Sequence, residues 1–578
     1  MDNKQSFFLG DYLKKQAIAN PNKPAYKFFH EDTDSTTVVT YRELDALAKR
    51  IAYQIHQYAA PNERIVICIP HSLNYIAAIF GCFYAGVVFV PAYPPKQTHS
   101  FPVLQKIIED SNPKLVITED AHDGDIIPGY ATVQIGKLTQ GTEEFTTEHE
   151  SQEDDVCLIQ YSSGSTHTPK GVMISHKNLV KNCDASAVLF KLTDKDRGCS
   201  WLPPYHDMGL VGNIFVPMYV GFPITFMSSG LFARRPLKWL ELMSQEKATL
   251  SAAPNFAYGL CTDRYLSSTQ KHHKLDLSHW RLAINGAEVV RAKTLEKFAE
   301  VFSSSGFKQT AFCPSYGLAE STLTVTAHYD PLNLPIVKKF SKSKLEVNMA
   351  EEITDRERTD PDSSEFQNRD IIRLVSSGKP LPDYLVKIVN ADTAEPLPNN
   401  VVGEIWISGP CVSKGYFNNS KATDEAFNFN IGWYNDTHFL KTGDTGFFDQ
   451  DGNLYITGRT RDVLIIHGRN LIPDDIEESI QTECFINGNY LTAAFSIREA
   501  YKEQLVIIQE VDAFMDFNLV IEQIHAAVHK NYGISPNAIV LIRKGKLPRT
   551  SSGKIKRHAC RVLFEAGVFE IIQEKVIS

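Results

Sequence analysis

The sequence predicts an α/β fold: a large multi-subdomain N-terminal region with two mainly parallel, helix-covered sheets and a smaller β-rich subdomain, then a small mobile α+β C-terminal domain. Three observations carry this prediction. Short apolar runs alternate with helix-like segments through the first half of the chain, which implies parallel strands covered on both faces. Past residue 380 the rhythm changes to alternating strands, and a last unit at 463–578 has strands and a helix of its own. With 578 residues, 43% of them hydrophobic and 22% charged, the chain has material for more than one core.

Taken in order, Thr40 and Glu43 form a capping box ahead of Leu44, Leu47, Ile51 and Ile55, whose spacing defines one apolar helix face. A strand Ile65 to Ile69, a helix around Tyr75 to Tyr84 closed by Gly86, and a strand Val87 to Val90 make a β-α-β unit. Leu115 to Thr118, Val156 to Tyr161, Thr249 to Ala253, Leu282 to Asn285 and Gln309 to Cys313 read as further strands. The stretch 330–370 mixes both charges with Ser and Pro and few apolar positions, so it reads as an inserted surface segment, with or without a role. Val386 to Val389 and Glu404 to Ser408 belong to the β-rich portion. Gly458 to Asp462 ends one core, which sets an N-terminal domain at 1–458, a hinge at 459–462 and a C-terminal domain at 463–578. In the last unit, Ala493 to Ser496 and Leu505 to Glu510 read as strands and Leu519 to His529 as a helix.

Composition excludes several classes. Ten cysteines without a Cys-x-x-Cys pair point to neither a zinc site nor a disulfide framework, and the expected compartment is the reducing cytoplasm. The most apolar stretch, Ile76 to Val90, is interrupted by Gly81 and Gly86 and is shorter than the ~20 residues a bilayer requires. Met1 to Lys15 has no secretory pattern. A net charge of −9 argues against bulk nucleic-acid binding.

The stretch Tyr161 to Gly171 follows a strand with Ser162, Ser163, Gly164, Ser165 and Thr166, then His167 and Lys170. Small residues let backbone N–H groups approach a polyphosphate, hydroxyls donate, and a lysine adds charge. The Walker spacing is not met, and an ordinary polar turn has the same composition. Downstream come Trp-Leu-Pro-Pro-Tyr-His-Asp-Met-Gly-Leu at 201–210, Asn-Gly-Ala-Glu at 285–288, Tyr-Gly-Leu-Ala-Glu at 316–320, Lys-Thr-Gly-Asp-Thr-Gly at 441–446, Gly-Arg-Thr-Arg-Asp at 458–462, and Leu-Pro-Arg-Thr-Ser-Ser-Gly-Lys at 547–554.

In that order these motifs resemble the adenylate-forming superfamily of acyl-CoA synthetases, peptide-synthetase adenylation domains and luciferases. Pro-Pro-Tyr-His-Asp-Met-Gly-Leu, Asn-Gly-Ala-Glu and Arg235-Pro-Leu-Lys-Trp239 look most like its fatty acyl-AMP ligases. The resemblance implies ATP and Mg²⁺ as cofactors and gives the residues roles. Ser162, Ser163, Gly164, Ser165, Thr166 and Lys170 would cradle phosphates, and Glu320 with Thr166 would hold the metal, as a hard cation prefers oxygen. Gly286, Ala287 and Glu288, with Ser315, Tyr316 and Gly317, would bracket adenine, while Asp444 and Arg459 would hold ribose. Lys554 would enter the site only for adenylation, bridging carboxylate and α-phosphate; His206 would line the entrance between fatty acid and nucleotide; Asp462 would be the hinge. Each has a plainer alternative: Glu320 a helix start, Asp444 an Asp stabilising its own turn between two glycines, Tyr316 and His206 core side chains, Lys554 a solvated lysine. His167 stands where most relatives have Gly. The segment before Ser377 is longer than in most coenzyme A ligases, as in fatty acyl-AMP ligases, where it would restrain the small domain.

For the substrate, no carboxylate between Leu210 and Ser229 offers itself to an α-ammonium, as an amino acid would require. Ile214, Met218, Met227 and Gly230, with Phe215, Val216 and Phe226, would suit an alkyl tunnel, although each could be plain core. At about 0.8 kcal/mol per buried methylene, a medium or long chain gains far more than acetate. No carrier-attachment motif follows Lys554, so the expected acceptor is an acyl carrier protein or carrier domain in trans. The basic residues Arg543, Lys544, Lys546, Arg549, Lys556 and Arg557 suit an acidic carrier or are merely solvated. The alternatives are an acyl-CoA synthetase and an inactive acyl-adenylate-binding protein.

Overall fold

The computed structural model describes residues 6–94, 101–119, 129–141, 145, 151–162, 169–268, 275–354, 370–431, 434, 437–466, 469–485, 490–499, 502–549 and 555–576. Two large sheets make the body of the molecule. One has six strands in the order Thr132–Gln134, Leu115–Thr118, Arg64–Cys68, Val88–Pro91, Val156–Ser162 and Lys170–Ser175, parallel except for the final hairpin. The other has nine, of which Phe312–Gly317, Leu282–Asn285, Leu250–Ala253, Gly198–Ser200, Ile224–Phe226 and Pro24–His30 run parallel in that order, with antiparallel strands at both edges. Both cores are made as the sequence predicts, by apolar strands under amphipathic or wholly apolar helices. The helix Tyr41–Ile55 starts on a reciprocal cap in which Glu43 N donates to Thr40 Oγ1 (3.3 Å) and Thr40 N to Glu43 Oε2 (2.9 Å). Its buried face, Leu44, Ile51 and Ile55, packs on the helix Leu73–Ala85, which is buried nearly all round.

A four-stranded antiparallel sheet, Leu385–Val389, Gly403–Ser408, Leu440–Phe448 and Leu454–Arg459, forms the β-rich portion. After it, the small lobe carries a separate sheet of Thr492–Glu499, Lys502–Val511, Ala538–Arg543 and Ile571–Val576, covered by the helices Pro473–Cys484 and Phe517–Tyr532. No helix among the described residues is long and apolar enough to cross a membrane.

Two expectations are corrected. Gln309 to Cys313 is not one strand: Gln309–Ala311 is a 3₁₀ turn, and the strand begins at Phe312 and runs to Gly317. It extends that far because Ser315, Tyr316 and Gly317 pair antiparallel with Thr324–Ala327. The stretch 330–370 is not all surface. Val337–Ser341 pairs with Ile371–Val375, and Phe340 is buried edge-on against Phe447 and Tyr455 (5.1 and 5.4 Å). One buried ring in a charged stretch leaves no periodicity to read.

Candidate active site

A cleft of about 960 Å³ opens at the carboxyl ends of the parallel strands, between both large sheets, the β-rich sheet and the small lobe. Ligands collect at such ends because the strands stop there and their loops diverge. Leu282–Asn285 runs into Gly286, Ala287 and Glu288, all of which line the cleft. Gly286 passes so close to the next strand that a Cβ would sit 2.8 Å from the Ser315 carbonyl oxygen. Ala287 has φ 67°, a conformation L-residues adopt at a cost. The turn is secured by Glu288, whose Oε1 accepts from Phe256 N at 2.6 Å.

Opposite this turn, Ser315, Tyr316 and Gly317 form the end of the neighbouring strand and line the same space. Tyr316 Oη donates to Asp444 Oδ2 at 2.7 Å, and Arg459 Nε donates to Oδ1 at 3.0 Å, so this carboxylate is fixed from two sides. Burial, then the adjoining Asp444 charge, pushes the Tyr316 phenol well above its usual range and keeps it a donor. Asp444 does not sit in a tight turn as expected. It lies within the strand Leu440–Phe448 and pairs with Arg459 across the ladder, with Gly443 before it at φ 74° and a register shift after Thr445.

Glu320 sits in a short 3₁₀ turn, Ala319–Ser321, just past the strand Phe312–Gly317. The next residue, Thr322, is β-branched at φ 69°, held there as its Oγ1 donates to Cys411 O at 2.8 Å. Gly317 permits the sharp return, since a Cβ there would fall 1.8 Å from Leu323 O. Burial raises the Glu320 carboxyl above its usual range, against the pull of the Tyr416 hydroxyl, which donates to Oε1 at 2.9 Å. Tyr416 also lies under the Lys170 ammonium, 4.8 Å from ring centroid to Nζ. Lys170 in turn pairs across the hairpin with Ser162, placing the start of the Ser/Gly-rich loop at the cleft. One tyrosine thus ties the lysine to the carboxylate. His206, with Asp207 and Met208, lines the cleft from the turn ahead of Asp207–Leu210.

From this polar end an apolar arm runs down the sheet face. Val216, Phe222, Leu250, Ala252, Leu282 and Ile284 line it. From Gly286 to Leu282 is four residues, about 13 Å of strand. From the small lobe, Asp474, Glu477, Lys556, Arg557 and His558 face the cleft, as does Asp462. Arg557 donates to Glu477 (2.7 Å) and pairs with Asp474 (2.8 Å), with Asp462 at 3.6 Å.

The sequence profile of the AMP-binding enzyme family matches residues 13–417. A medium-chain fatty acid–acyl-carrier-protein ligase of Moorena producens, JamA, is 34% identical over 98% of this chain and 96% of its own. The long-chain fatty acid–AMP ligase FadD26 of Mycobacterium marinum is 32% identical over 95% of each chain. Among solved structures, a fatty acyl-adenylate ligase of Legionella pneumophila, crystallised with acyl adenylate and pyrophosphate, is 34% identical over 99% of this chain and 98% of its own, with a TM-score of 0.75. The chain belongs to the AMP-binding enzyme family and is a fatty acyl-AMP ligase.

In the ligase the sequence-predicted residues Lys170, His206, Gly286, Ala287, Glu288, Ser315, Tyr316, Gly317, Glu320, Asp444, Arg459 and Asp462 all line one cleft, although they come from segments up to 292 residues apart (462 − 170). Ser163, Gly164, Ser165, Thr166, His167 and Lys554 lie outside the described residues, as does the Ser162 side chain. The residues just after Lys554, Ile555 and Lys556, line the cleft of the ligase. Of the tunnel residues chosen from sequence, His206 and Val216 line the cleft, and Ile214, Met218, Met227 and Gly230 do not. Ile214 and Met218 are buried in the core beneath the first sheet, Met227 is buried in the core of the second, and Gly230 lies in the helix Ser229–Arg234. The reason is a π-helical turn at Val211–Phe215, which rotates Ile214 inward and brings Gly212, Asn213 and Val216 to the cleft. Reading missed Tyr416 altogether, and nothing in Lys414-Gly-Tyr416 marks a tyrosine that reaches Glu320.

Proposed function

We propose that the ligase uses ATP and Mg²⁺ to activate a medium- or long-chain fatty acid and passes it to the phosphopantetheine thiol of a carrier protein in trans, in the cytoplasm. The fatty carboxylate oxygen attacks the α-phosphorus of ATP, the bond to the bridging oxygen breaks, and pyrophosphate leaves. The thiol sulfur then attacks the acyl carbonyl, AMP departs with the bonding electrons, and the thiol proton is released. One observation carries this reading: the cations and fixed carboxylates share one cleft of about 960 Å³ with an apolar row, Val216, Phe222, Leu250, Ala252, Leu282 and Ile284.

Residue roles follow from the geometry. Asp444, already accepting from Tyr316 and Arg459, has acceptor capacity for ribose hydroxyls. Gly286 to Glu288 and Ser315 to Gly317 abut and line the same end of the cleft beside Asp444, which suits them to hold the base. Glu320 fits Mg²⁺ as a carboxylate in the cleft with one oxygen already oriented by Tyr416, and Thr166 would be its companion. The metal would neutralise phosphate charge; Lys170 adds a cation, and Lys554 would add another, where charge develops. Asp462 is proposed as the hinge between lobes, at the boundary 459–462.

Carrier rather than coenzyme A as acceptor is supported by the stretch 341–348, within the inserted segment 330–370, which grips the small lobe. Glu346 accepts a two-pronged bond from Arg469 (2.7 and 2.8 Å), and Lys342 Nζ lies 3.4 Å from the centroid of the Tyr532 ring. Such ties would disfavour a rotated pose that admits coenzyme A. Incubation with ATP, Mg²⁺ and dodecanoate, with either coenzyme A or a phosphopantetheinylated carrier, tests this. The expected product is acyl-carrier with little acyl-CoA; equal acyl-CoA would make the enzyme an acyl-CoA synthetase.

A further inference from the structure

Arg291 stands three residues beyond Glu288 and leads into the helix Ala292–Phe302. Its backbone N donates to Asn255 Oδ1 (3.2 Å), the same oxygen that accepts from Asn285 Nδ2 (3.3 Å), so the residue is pinned to the base of the turn that faces the cleft. The side chain points the other way, across the boundary between lobes. Nη1 contacts Asp475 Oδ1 at 2.7 Å and Glu478 Oε2 at 2.9 Å, both on the small-lobe helix Pro473–Cys484. Arg291 and Asp475 are 16% and 13% exposed there, which sets this pair apart from surface ion pairs that are worth little.

The same helix carries two more carboxylates in its first turns. Asp474 and Glu477 hold Arg557, which lies three residues after Lys554 and also faces Asp462. Four carboxylates within five residues repel one another unless cations are shared between them. Their positions at a helix N-terminus suit the dipole but do not relieve that repulsion. Arg557 supplies one cation from within the small lobe; Arg291 supplies the other from the large lobe. Among the described residues the lobes are also tied by Glu346 with Arg469, by Lys342 with Tyr532, which lies near Asp475, and by Lys293 Nζ, 3.5 Å from Thr482 Oγ1 on the same helix. Losing Arg291 therefore leaves the lobes attached but loosens the edge that carries the residues next to Lys554.

We propose that Arg291 is a positioning residue that links the turn at Gly286–Val290 to the small lobe and holds that lobe in the pose for adenylate formation. This rests on the reading of function above. In Arg291→Gln the helix keeps Asp475 and Glu478 without their partner, so the closed pose loses population, while the groups that contact ATP and fatty acid stay in place. Coupling of this kind typically changes a rate or affinity by about 10- to 100-fold.

The test has two readouts. The first is kinetic: Arg291→Gln and Asp475→Asn each slow dodecanoate-dependent ATP–pyrophosphate exchange about 10- to 100-fold in kcat, leave KM for ATP little changed, and leave transfer from purified dodecanoyl-adenylate to carrier undiminished. The exchanged pair Arg291→Asp with Asp475→Arg recovers part of the loss. The second is the interlobe distance by pulsed electron resonance, with spin labels at Ile18→Cys and Phe514→Cys, both strongly exposed, in a Cys484→Ser background, since the other nine cysteines are buried. Arg291→Gln should broaden that distribution, and the exchanged pair should narrow it. Wild-type distances and exchange in Arg291→Gln, or equal losses of exchange and transfer at unchanged distance, would overturn the proposal. If the wild-type protein exchanged no pyrophosphate, the reading of function would fall and the distance measurement would decide the interlobe link alone.

Discussion

The two ends of the cleft are built differently. The polar end is assembled from strands and the loops just beyond them, with each functional group fixed by a named partner: Asp444 by Tyr316 and Arg459, Glu320 by Tyr416, Glu288 by the Phe256 amide. The apolar arm is made of two strands, Leu250 and Ala252 on one and Leu282 and Ile284 on the other, with Val216 from a helical turn and Phe222 from the loop after it, the same residue types that fill the cores on either side. The chemistry of a phosphate, a metal or a sugar restricts which residues can serve, whereas an alkyl chain asks only for space. The first end should thus fail sharply when one group is changed, and the second should shift by degrees.

Mutations at each end sharpen that contrast. Lys554→Ala should have the largest effect, a loss of about 10²- to 10³-fold in pyrophosphate exchange with transfer from preformed adenylate retained; normal exchange would remove Lys554 from the polar end. Tyr416→Phe takes the hydroxyl from Glu320 and leaves the ring under Lys170, so exchange should fall roughly 10-fold, as for a hydrogen bond to a charged group. At the apolar end, Leu282→Phe shortens the arm by about one methylene, which should cost dodecanoate about fourfold in kcat/KM and leave acetate unchanged. Equal losses for both acids would mean that Leu282 does not line the tail's path.

The smallest effect lies past the arm, where Arg281 pairs with Asp196 (2.8 Å) and also donates to the Phe190 carbonyl. Burial pushes the Asp196 carboxyl up, but Arg281 and bonds from Thr193 and Thr249 overcome this and hold it below its usual range. A carboxyl depressed in the folded state stabilises above its unfolded pKa of about 3.9 and loses that contribution as pH falls through the lower folded value. Asp196→Asn should therefore lower Tm at pH 7 and flatten its decline below about pH 4. An unchanged acid limb would show that the pair contributes nothing measurable.

The contrast also explains what could be read from sequence. The helix Tyr41–Ile55 was legible because Thr40, Glu43 and an apolar stripe are local signals. The polar site was legible as an ordered series of motifs, and its residues converge on one cleft. Asp444 was misplaced in a turn because Gly-Asp-Thr-Gly has turn composition, while a ladder register shift is a tertiary event. Ile214, Val216 and Met218 were chosen together for being apolar near the right motif, and with a π-helical turn at Val211–Phe215 it is Val216 of the three that reaches the cleft. Tyr416 and Arg291 act on partners 96 and 184 residues away (416 − 320 and 475 − 291), a distance at which no local pattern helps.

The most direct test of the joined polar and apolar ends is ATP–pyrophosphate exchange by the wild-type protein with acetate, octanoate and dodecanoate. The account predicts a kcat/KM that climbs about fourfold for each methylene the arm can bury. The same rate with all three acids would contradict it.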